Sequence, residues 1–368
     1  MRDNHALLVK SFGRYAGMLL ASLVPVVAFS ASAFAQAIVE FTIPTTGSMP
    51  HAITIGPDGN MWFAENVGNK IATVTTAGMI TECPAFTTGT APGGIVTGPD
   101  NNLWVSGSGG NVLIKMSGAS CTILNTYTVP TASSGPGWIT VGPDNNLWFV
   151  EENTSKIAQF VINTTTFNEY PTTTANADPF NIVTGPDGNL WFTEHAVGNI
   201  GKITTGGTIT EYGVPSGVNT GPRSIAVGSD NNLWFGEQGS NGNRVGKIVI
   251  ADLPTMTEYP NPASGGGPFA VHPGPDGALW LGEYNGNAIG RMTTAAVYTS
   301  HFAVPTTNSE PRGMVTGPDG NIWFTEQNGN NIGRILASVP FTAGHDFDGS
   351  NTSDILCGSR SAAPRRCG

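Results

Sequence analysis

Short stretches in which apolar and polar residues alternate recur along almost the whole chain, separated by clusters of Gly, Pro, Asn and Asp. The stretches at residues 70–75 (Lys-Ile-Ala-Thr-Val-Thr) and 209–212 (Ile-Thr-Glu-Tyr) are examples. Alternation with a period of two, together with many β-branched and aromatic residues, predicts half-buried β-strands. No stretch combines a 3.6-residue period with helix-capping residues. The pattern therefore predicts an all-β protein.

A phrase of about 43 residues occurs seven times. The copies vary around one phrase: a Pro before a short apolar strand, then a Gly-Pro-Asp-Gly-Asn turn, a Leu-Trp-Phe-x-Glu strand and an Ile-Gly-Lys-Ile strand. The first copy yields four predicted strands, at 52–55, 61–65, 70–75 and 80–83. Tryptophans mark the copies at intervals of 42 to 46 residues: Trp62, Trp104, Trp148, Trp191, Trp234, Trp280 and Trp323. This period is typical of propeller blades, so we predict a seven-bladed β-propeller with four strands per blade.

The two ends of the repeat array predict how the ring closes. The last copy runs to Ile335 and has no clear fourth strand, whereas residues 38–44 (Ile-Val-Glu-Phe-Thr-Ile-Pro) read as a fourth strand with no copy before it. Together they complete one blade, which removes an open sheet edge. An open solenoid is the alternative, but it leaves the first strand without a partner.

The sequence predicts three segments: residues 1–35, 36–340 and 341–368. The first is read as a secretory signal, because Arg2, Lys10 and Arg14 precede a short apolar run and Ala33-Phe34-Ala35 fits a cleavage site. An uncleaved N-terminal anchor is the alternative. The second segment is the propeller. We therefore expect a secreted or periplasmic monomer with no membrane contact after the signal is removed.

Composition narrows the possible partners and leaves the cysteine pairing open. Charged residues make up 11% of the 368 residues, and 49 residues are Gly, which excludes a coiled coil. The formal net charge of −10 argues against nucleic acid as a partner.

The four cysteines allow three complete disulfide pairings in an exported protein, and unpaired thiols are equally open: Cys83, Cys121, Cys357 and Cys367.

Strand order places the loop before each first strand and the loop after each second strand at the same end of the ring, which we call the top face. Scaffold positions should be uniform around the ring, but the residues flanking each copy's Pro vary, as expected of a binding site. The residues after the Pro are His51, Gly93, Gly137, Phe180, Arg223, Phe269 and Arg312. The residues before it are Met49, Ala91, Gly135, Asp178, Gly221, Gly267 and Glu310.

Glutamates and histidines are the candidate chemical groups. Six copies end the second strand in Glu, and a repeated structural role is the alternative to metal binding there: Glu65, Glu151, Glu194, Glu237, Glu283 and Glu326. No other blade has Glu before its Pro, so Glu310 and Glu326 form the candidate pair for a divalent cation, which Arg312 could instead neutralise. His51 is the first candidate for a general base, and His195 is the second. His272 is expected to be structural.

The copies resemble the virginiamycin B (streptogramin B) lyases, which are seven-bladed propellers. The resemblance covers roughly residues 38–336 and rests on the phrases at 190–194 (Leu-Trp-Phe-Thr-Glu), 322–326 (Ile-Trp-Phe-Thr-Glu) and 287–291 (Asn-Ala-Ile-Gly-Arg). It implies a Mg²⁺-dependent carbon–oxygen lyase that linearises a cyclic depsipeptide by elimination at an ester. In the family, a His removes the Cα proton and Mg²⁺ held by two Glu stabilises the enolate.

Residue by residue, the resemblance is incomplete. The family's Glu-Pro-His-Gly phrase matches Glu-Pro-Arg-Gly at 310–313, so Glu310 keeps a metal position while Arg312 stands where the base should be. Arginine does not deprotonate near neutral pH. The second metal position falls at Glu326, or at Gln327 if a loop gap shifts the match. The family's Pro-His-Ala-Ile-Thr phrase matches residues 50–54, which gives His51 a substrate-contacting role.

The C-terminal segment resembles the opening of an FG-GAP (VCBS-type) repeat. That motif binds Ca²⁺ through spaced aspartates, and Asp346, Asp348 and Asp354 are the matching residues. The remaining residues are too few to finish such a module. We therefore expect a truncated, disordered tail with weak Ca²⁺ binding.

Two functional classes follow from these residues. The first is a lyase of the streptogramin type or a related carbon–oxygen lyase, with His51, Glu310 and Glu326 as its site. The second is a non-catalytic propeller that binds a small molecule or peptide at the top face through His51, Phe180, Arg223, Phe269 and Arg312. Arg312 favours the second class and the family resemblance favours the first. A metal-dependent lactonase is a third option.

Overall fold

The computed structural model describes residues 38–87, 89–250, 254–263 and 265–337. In this part of the chain every strand belongs to one of seven four-stranded antiparallel sheets. The predicted seven-bladed β-propeller is therefore confirmed. The predicted signal segment and the FG-GAP-like tail, with Asp346, Asp348 and Asp354, lie outside the described residues.

The blades follow one another along the chain, and in blades 1 to 6 the strands run outward from the axis in sequence order. Blade 1 contains β2 (Pro50–Ile55), β3 (Met61–Glu65), β4 (Lys70–Val74) and β5 (Ile80–Glu82). Blade 2 contains β6 (Pro92–Thr97), β7 (Asn102–Gly107), β8 (Val112–Ser117) and β9 (Ile123–Thr128). Blade 3 contains β10 (Pro136–Val141), β11 (Leu147–Glu151), a short 3₁₀ turn (Glu152–Thr154), β12 (Lys156–Val161) and β13 (Thr166–Pro171).

Blades 4 to 6 repeat the same order. Blade 4 contains β14 (Pro179–Thr184), β15 (Leu190–Glu194), β16 (Asn199–Ile203) and β17 (Ile209–Gly213). Blade 5 contains β18 (Pro222–Val227), β19 (Leu233–Glu237), β20 (Arg244–Val249) and β21 (Thr255–Pro260). Blade 6 contains β22 (Pro268–Pro273), β23 (Leu279–Glu283), β24 (Ala288–Met292) and β25 (Tyr298–Ala303).

Blade 7 closes the ring. It contains β26 (Pro311–Thr316), β27 (Ile322–Glu326), β28 (Asn331–Ile335) and, as its outermost strand, β1 (Ile38–Thr42). The pairing is antiparallel, with Ile38 opposite Ile335 and Thr42 opposite Asn331. The predicted closure by the N-terminal strand is confirmed, and it leaves no blade short of a strand.

The core lies between blades rather than within one. Each hydrophobic cluster joins two neighbouring blades; one, for example, packs Trp191 and Ile200 of blade 4 against Ile225 and Phe235 of blade 5. The seven repeat tryptophans are at most 2% exposed. Each blade therefore buries its apolar side chains mainly against its two neighbours in the ring.

The Gly-Pro-Asp turns hold the tryptophans in place. In all seven copies the indole Nε1 donates to the turn Asp, at 2.9 to 3.2 Å, as Trp62 does to Asp58. The first residue of the turn must be Gly for steric reasons, because a Cβ on Gly56 would lie 2.3 Å from the Trp62 ring. The same sequence phrase therefore supplies both the reversal and the hydrogen-bond partner of the buried indole.

The structure shows which partner two of the four cysteines have. Cys83, just after β5, is bonded to Cys121, in the turn between β8 and β9, so the bridge ties blade 1 to blade 2. No cysteine in the described ranges is free. Cys357 and Cys367 lie outside those ranges.

Candidate functional site

The backbone at the top face repeats one arrangement seven times. The residue before each blade's Pro has a positive φ between 47° and 66°, including the non-glycine residues Met49, Ala91, Asp178 and Glu310. Its carbonyl accepts the N–H of the residue that follows the second strand, at 3.1 to 3.2 Å, as Glu310 does from Gln327. This left-handed conformation costs a non-glycine residue roughly 1 kcal/mol. Its presence in every blade shows that the loop geometry belongs to the architecture.

This arrangement brings a third row of side chains to the top face, which the sequence analysis missed. The row is formed by the residues that follow the second strands: Asn66, Ser108, Glu152, His195, Gln238, Tyr284 and Gln327. The signal that could have identified the row was its variability, which matches that of the residues flanking each Pro. Side chains of this row contact Arg312, Asp178 and Glu310.

Arg312 and His51 are in direct contact across the junction of blades 7 and 1. The Arg312 guanidinium donates to Nε2 of His51 at 3.0 Å and to Oε1 of Gln327 at 2.6 Å. Burial, and then the charge of Arg312, hold the pKa of His51 well below its usual value. The imidazole is therefore neutral, and its Nε2 lone pair is occupied by the arginine.

Phe180, Arg223, Phe269 and Arg312, which the sequence singled out separately, form one cluster. The two phenyl rings meet edge to face at 5.4 Å, and the Arg223 guanidinium lies 4.4 Å from the Phe180 centroid. The Arg312 guanidinium lies 5.2 Å from the Phe269 centroid. Within the described residues, neither arginine has a carboxylate within 4.0 Å. The rings support the two cations, but no anion compensates them at contact distance.

The acidic side chains of the top face have other partners. Tyr284, which stacks on Phe269 at 5.4 Å, donates its hydroxyl to Glu310 at 2.5 Å. Burial, with the neighbouring Glu310 carboxylate, raises the pKa of Tyr284 to about 12. His195 Nδ1 lies 3.1 Å from the Asp178 carboxylate in blade 4. The second candidate base is therefore paired with an acid at the rim of the site.

Glu152 is the acid that shares a pocket with Arg312. Burial, and then the nearby Asp178 carboxylate, raise the pKa of Glu152 to about 7, while Arg312 and Arg223 act in the opposite direction. Its carboxyl lies over Gly137, where an added Cβ would be 2.3 Å from Oε1. The glycine at position 137 therefore makes room for the acid.

The six second-strand glutamates lie inside their blades. All are completely buried, and burial raises the pKa of each: Glu65, Glu151, Glu194, Glu237, Glu283 and Glu326. Several accept hydrogen bonds from side chains of their own blade, as Glu326 does from Asn331 at 3.2 Å. This contact pattern is that of a repeated structural role.

Glu310 and Glu326 meet different partners. Glu310 accepts from Tyr284 at the top face, whereas Glu326 lies beside Asn331 and the outer-strand Glu40. No group of three or more His, Cys, Asp or Glu side chains that could hold a metal ion occurs among the residues described. The two carboxylates thus have no shared partner that would orient them toward one cation, and Mg²⁺ at this pair stays a prediction.

His272 and His301 are each engaged between strands. His272 Nε2 lies 3.0 Å from the Thr316 hydroxyl of the next blade, and burial lowers its pKa to about 4. His301 Nε2 lies 2.8 Å from Glu283. These contacts agree with the structural role predicted for His272.

Two cavities meet at the centre of the ring. The smaller, of about 60 Å³, we call the polar pocket; it is bordered by His51, Asn66, Ser108, Glu152, Trp138 and Arg312. The larger, of about 360 Å³, we call the axial cavity; it is bordered mainly by first-strand residues of blades 4 to 7. Trp138 and Arg312 border both. These two side chains therefore stand between the cavities.

Comparison with solved structures identifies related propellers. A streptogramin B lyase structure is 30% identical and superposes with a TM-score of 0.75, covering 82% of this chain and 97% of that one. Virginiamycin B lyase from Staphylococcus aureus is 29% identical with a TM-score of 0.74, covering 82% of this chain and 99% of that one. The same identity, TM-score and coverage hold for a catalytically inactive His-to-Ala variant of that enzyme with quinupristin.

No curated protein matches the chain. In the part of the chain that is described, no helix is long and apolar enough to cross a membrane. The model of the virginiamycin B lyase family matches residues 31–123 and 122–343, which together span most of the sequence and all seven blades. The chain therefore belongs to the virginiamycin B lyase family.

Proposed function

We propose that this propeller binds a small molecule or peptide through an anionic group at the top face, with Arg223 and Arg312 as the anion-binding residues. The observation that carries the proposal is the pair of guanidinium groups supported by Phe180 and Phe269 without a carboxylate in contact. Arginine matches carboxylate geometry with two parallel hydrogen bonds. A carboxylate ligand would supply the direct ion pair that neither guanidinium makes among the described residues.

The energetics favour an anion over a neutral ligand. Burial lowers the pKa of Arg312 to about 10, which still leaves the group charged near neutral pH. Each cation–aromatic contact contributes about 0.5 to 2 kcal/mol. A hydrogen bond to a charged group contributes about 1.5 to 3 kcal/mol, so a bidentate carboxylate would add more than the rings provide.

The state of His51 supports binding rather than proton abstraction by this residue. A general base needs a free lone pair within reach of the substrate proton. Nε2 of His51 accepts from Arg312, and burial with the adjacent charge keeps its pKa well below the usual value. In this arrangement His51 positions Arg312.

The test uses two ligands that differ only in charge. N-acetylphenylalanine and its amide are titrated against the purified chain by calorimetry at pH 7, with Arg223→Gln, Arg312→Gln and the control Lys202→Gln, a lysine that lies over Trp191. We expect the carboxylate to bind more tightly than the amide, and this preference to fall at least tenfold in both arginine variants but not in the control. Equal binding of the two ligands, or no binding of either, would refute the proposal.

A second candidate is the family's reaction, opening of a cyclic depsipeptide ester by elimination with Mg²⁺. Family membership and the retained Glu310 favour it. The assay incubates the purified chain with quinupristin, with Mg²⁺ or with EDTA, followed by chromatography and mass analysis. A product of unchanged mass that disappears with EDTA would support this candidate, and the absence of a product would exclude it for that substrate.

We also propose that the protein acts outside the cytoplasm as a monomer. The basic start, short apolar run and Ala33-Phe34-Ala35 motif of the sequence support export. N-terminal sequencing of the extracytoplasmic protein should begin at Gln36, and light scattering should give the mass of one chain. A mature protein that retains residues 1–35 would refute the processing step.

A further inference from the structure

The axial cavity runs along the first strands of blades 4 to 7. Arg312, the second residue of β26, lies at one end, and Val227 and Pro273, the last residues of β18 and β22, lie at the other. The far end therefore lies toward the face opposite the top face. A volume of about 360 Å³ falls within the range of small-molecule sites.

Trp138 accounts for the position of this cavity to one side of the axis. It is the one tryptophan outside the repeat series, and its position in the first strand is occupied in the other blades by Ala52, Gly94, Asn181, Ser224, Ala270 and Gly313. The indole borders both cavities and lies 6.3 Å from the Phe180 ring. It fills the axis beside blade 3, and the smaller residues leave space beside blades 4 to 7.

The walls of the cavity are mainly apolar. The bordering apolar residues are Ile182, Val183, Ile225, Ala226, Val227, Ala270, Val271, Pro273 and Met314. Two of its polar groups already have partners in neighbouring strands: Ser224 with the Val271 backbone, and His272 with Thr316. Apart from the Asn181 amide, such walls favour a hydrocarbon group over a strongly polar occupant.

One end of the cavity carries the positive charge of Arg312, which has no carboxylate in contact among the described residues; Glu152 acts on it from the polar pocket. Among the described residues that border it, Arg312 alone has a charged side chain near neutral pH. Its hydrogen bonds go to the neutral groups His51 and Gln327, and its buried Nε has no partner among the described residues. A buried cation is stabilised by an anion that approaches it from the apolar side.

We propose that the axial cavity is a binding site for an amphipathic monocarboxylate, such as an alkanoate, with the carboxylate on Arg312 and the hydrocarbon tail between blades 4 and 7. The proposal rests on the proposed function for the anion-binding role of Arg312 and extends it to the ligand's chemical class. A small anion without a tail would leave the apolar walls uncovered. A neutral hydrocarbon would leave Arg312 without a carboxylate in contact. The charge of Arg312 and the apolar walls together therefore favour a carboxylate with a hydrocarbon tail.

The first test varies tail length at constant charge. Acetate, butanoate, hexanoate and octanoate are titrated against the purified chain by calorimetry, below their micellar concentrations. Burial of a methylene group in an apolar site corresponds to about a fourfold gain in affinity. We expect affinity to rise by about that factor per methylene from butanoate, and to level off when the tail fills the cavity. Equal affinity for acetate and octanoate would overturn this proposal while leaving the anion site intact.

The second test separates the charge from the tail. Octan-1-ol and octylamine have as many carbon atoms as octanoate but no carboxylate, and we expect octanoate to bind at least tenfold more tightly than either. In Arg312→Gln the preference for octanoate over octan-1-ol should disappear, whereas the control Lys202→Gln should retain it. Octan-1-ol binding as tightly as octanoate in the parent chain would overturn the proposal.

The third test fills the cavity. Ala226 borders the cavity and is 8% exposed, so Ala226→Phe should weaken octanoate binding at least tenfold and leave acetate binding unchanged. Unchanged octanoate binding in a folded Ala226→Phe would overturn the location. If this variant does not fold, the chain-length series still decides. No binding of N-acetylphenylalanine or of any alkanoate would overturn both this proposal and the proposed function.

Discussion

Replacing Glu326 with Gln should stabilise the protein above pH 5, although Glu326 resembles a metal ligand in sequence. The carboxyl is completely buried, one of its oxygens has no partner among the described residues, and the other accepts from Asn331. Burial, and then the neighbouring Glu40, raise its pKa from the usual 4.5 to about 8. Gln keeps the size of the protonated acid and can still donate a hydrogen bond toward Glu40.

The magnitude follows from the linkage between proton binding and folding. Below about pH 4 the folded and unfolded chains both carry the proton, so the substitution should change little. As pH rises toward 8, the unfolded chain releases its proton while the folded chain keeps it, and the parent loses stability. Each pKa unit corresponds to about 1.4 kcal/mol. The shift from 4.5 to about 8 thus sets a ceiling of about 5 kcal/mol above pH 8, and about 3 kcal/mol at pH 7.

The assay is urea unfolding followed by tryptophan fluorescence, with parent and variant compared at pH values from 4 to 9. The control Glu211→Gln should behave in the opposite way: burial raises the pKa of Glu211, but hydrogen bonds from Thr173 and Thr174 outweigh this and lower it. Its removal should cost stability at pH 7 and less in acid. A Glu326→Gln difference that is the same at every pH would refute the reasoning. Loss of stability at pH 8 would indicate that the carboxylate is needed in its charged form.

Three further outcomes are expected. Removing the Cys83–Cys121 bridge by substituting both residues with Ala should lower the free energy of unfolding by about 4 kcal/mol, measured by urea unfolding, because the bridge spans 38 positions of chain. Asp187→Ala leaves a buried indole N–H without its acceptor and should cost about 1 to 3 kcal/mol in the same assay. Arg312→Gln removes a cation next to His51, so the His51 imidazole signal in an NMR titration should report a higher pKa; an unchanged value would show that burial alone depresses it.

The fold could be predicted from the sequence because every blade repeats the same physical solution. A buried Trp, its turn Asp and the alternating strands recur at a constant interval, and each copy is consistent at the levels of turn chemistry, strand pattern and burial. The unpartnered strand at residues 38–44 predicted the closed ring from the sequence alone. The pairing of Cys83 with Cys121 was beyond the sequence, because it depends on how neighbouring blades face each other.

The site was harder to predict because a difference of one residue decides where a side chain points. Successive strand residues face opposite sides. At the end of β27, Glu326 turns into the blade and Gln327 turns to Arg312, so the row that follows each second strand, not the glutamate that ends it, reaches the axis. The sequence indicated Phe180, Arg223 and Phe269 as candidate binding residues, but their aromatic contacts with one another required the three-dimensional arrangement.

The closure of the ring by β1 also determines how the molecule would respond to mechanical tension. Ile38 pairs with Ile335, so both strands leave their shared ladder at the same end. Pulling those two residues apart loads the hydrogen bonds one pair at a time, as in a zipper, rather than all together in shear. The five-residue ladder would therefore yield at low force, and the outermost strand of blade 7 would peel away while the other six sheets keep all their strands. The closure therefore places a mechanically weak junction where the first and last strands of the repeat array pair.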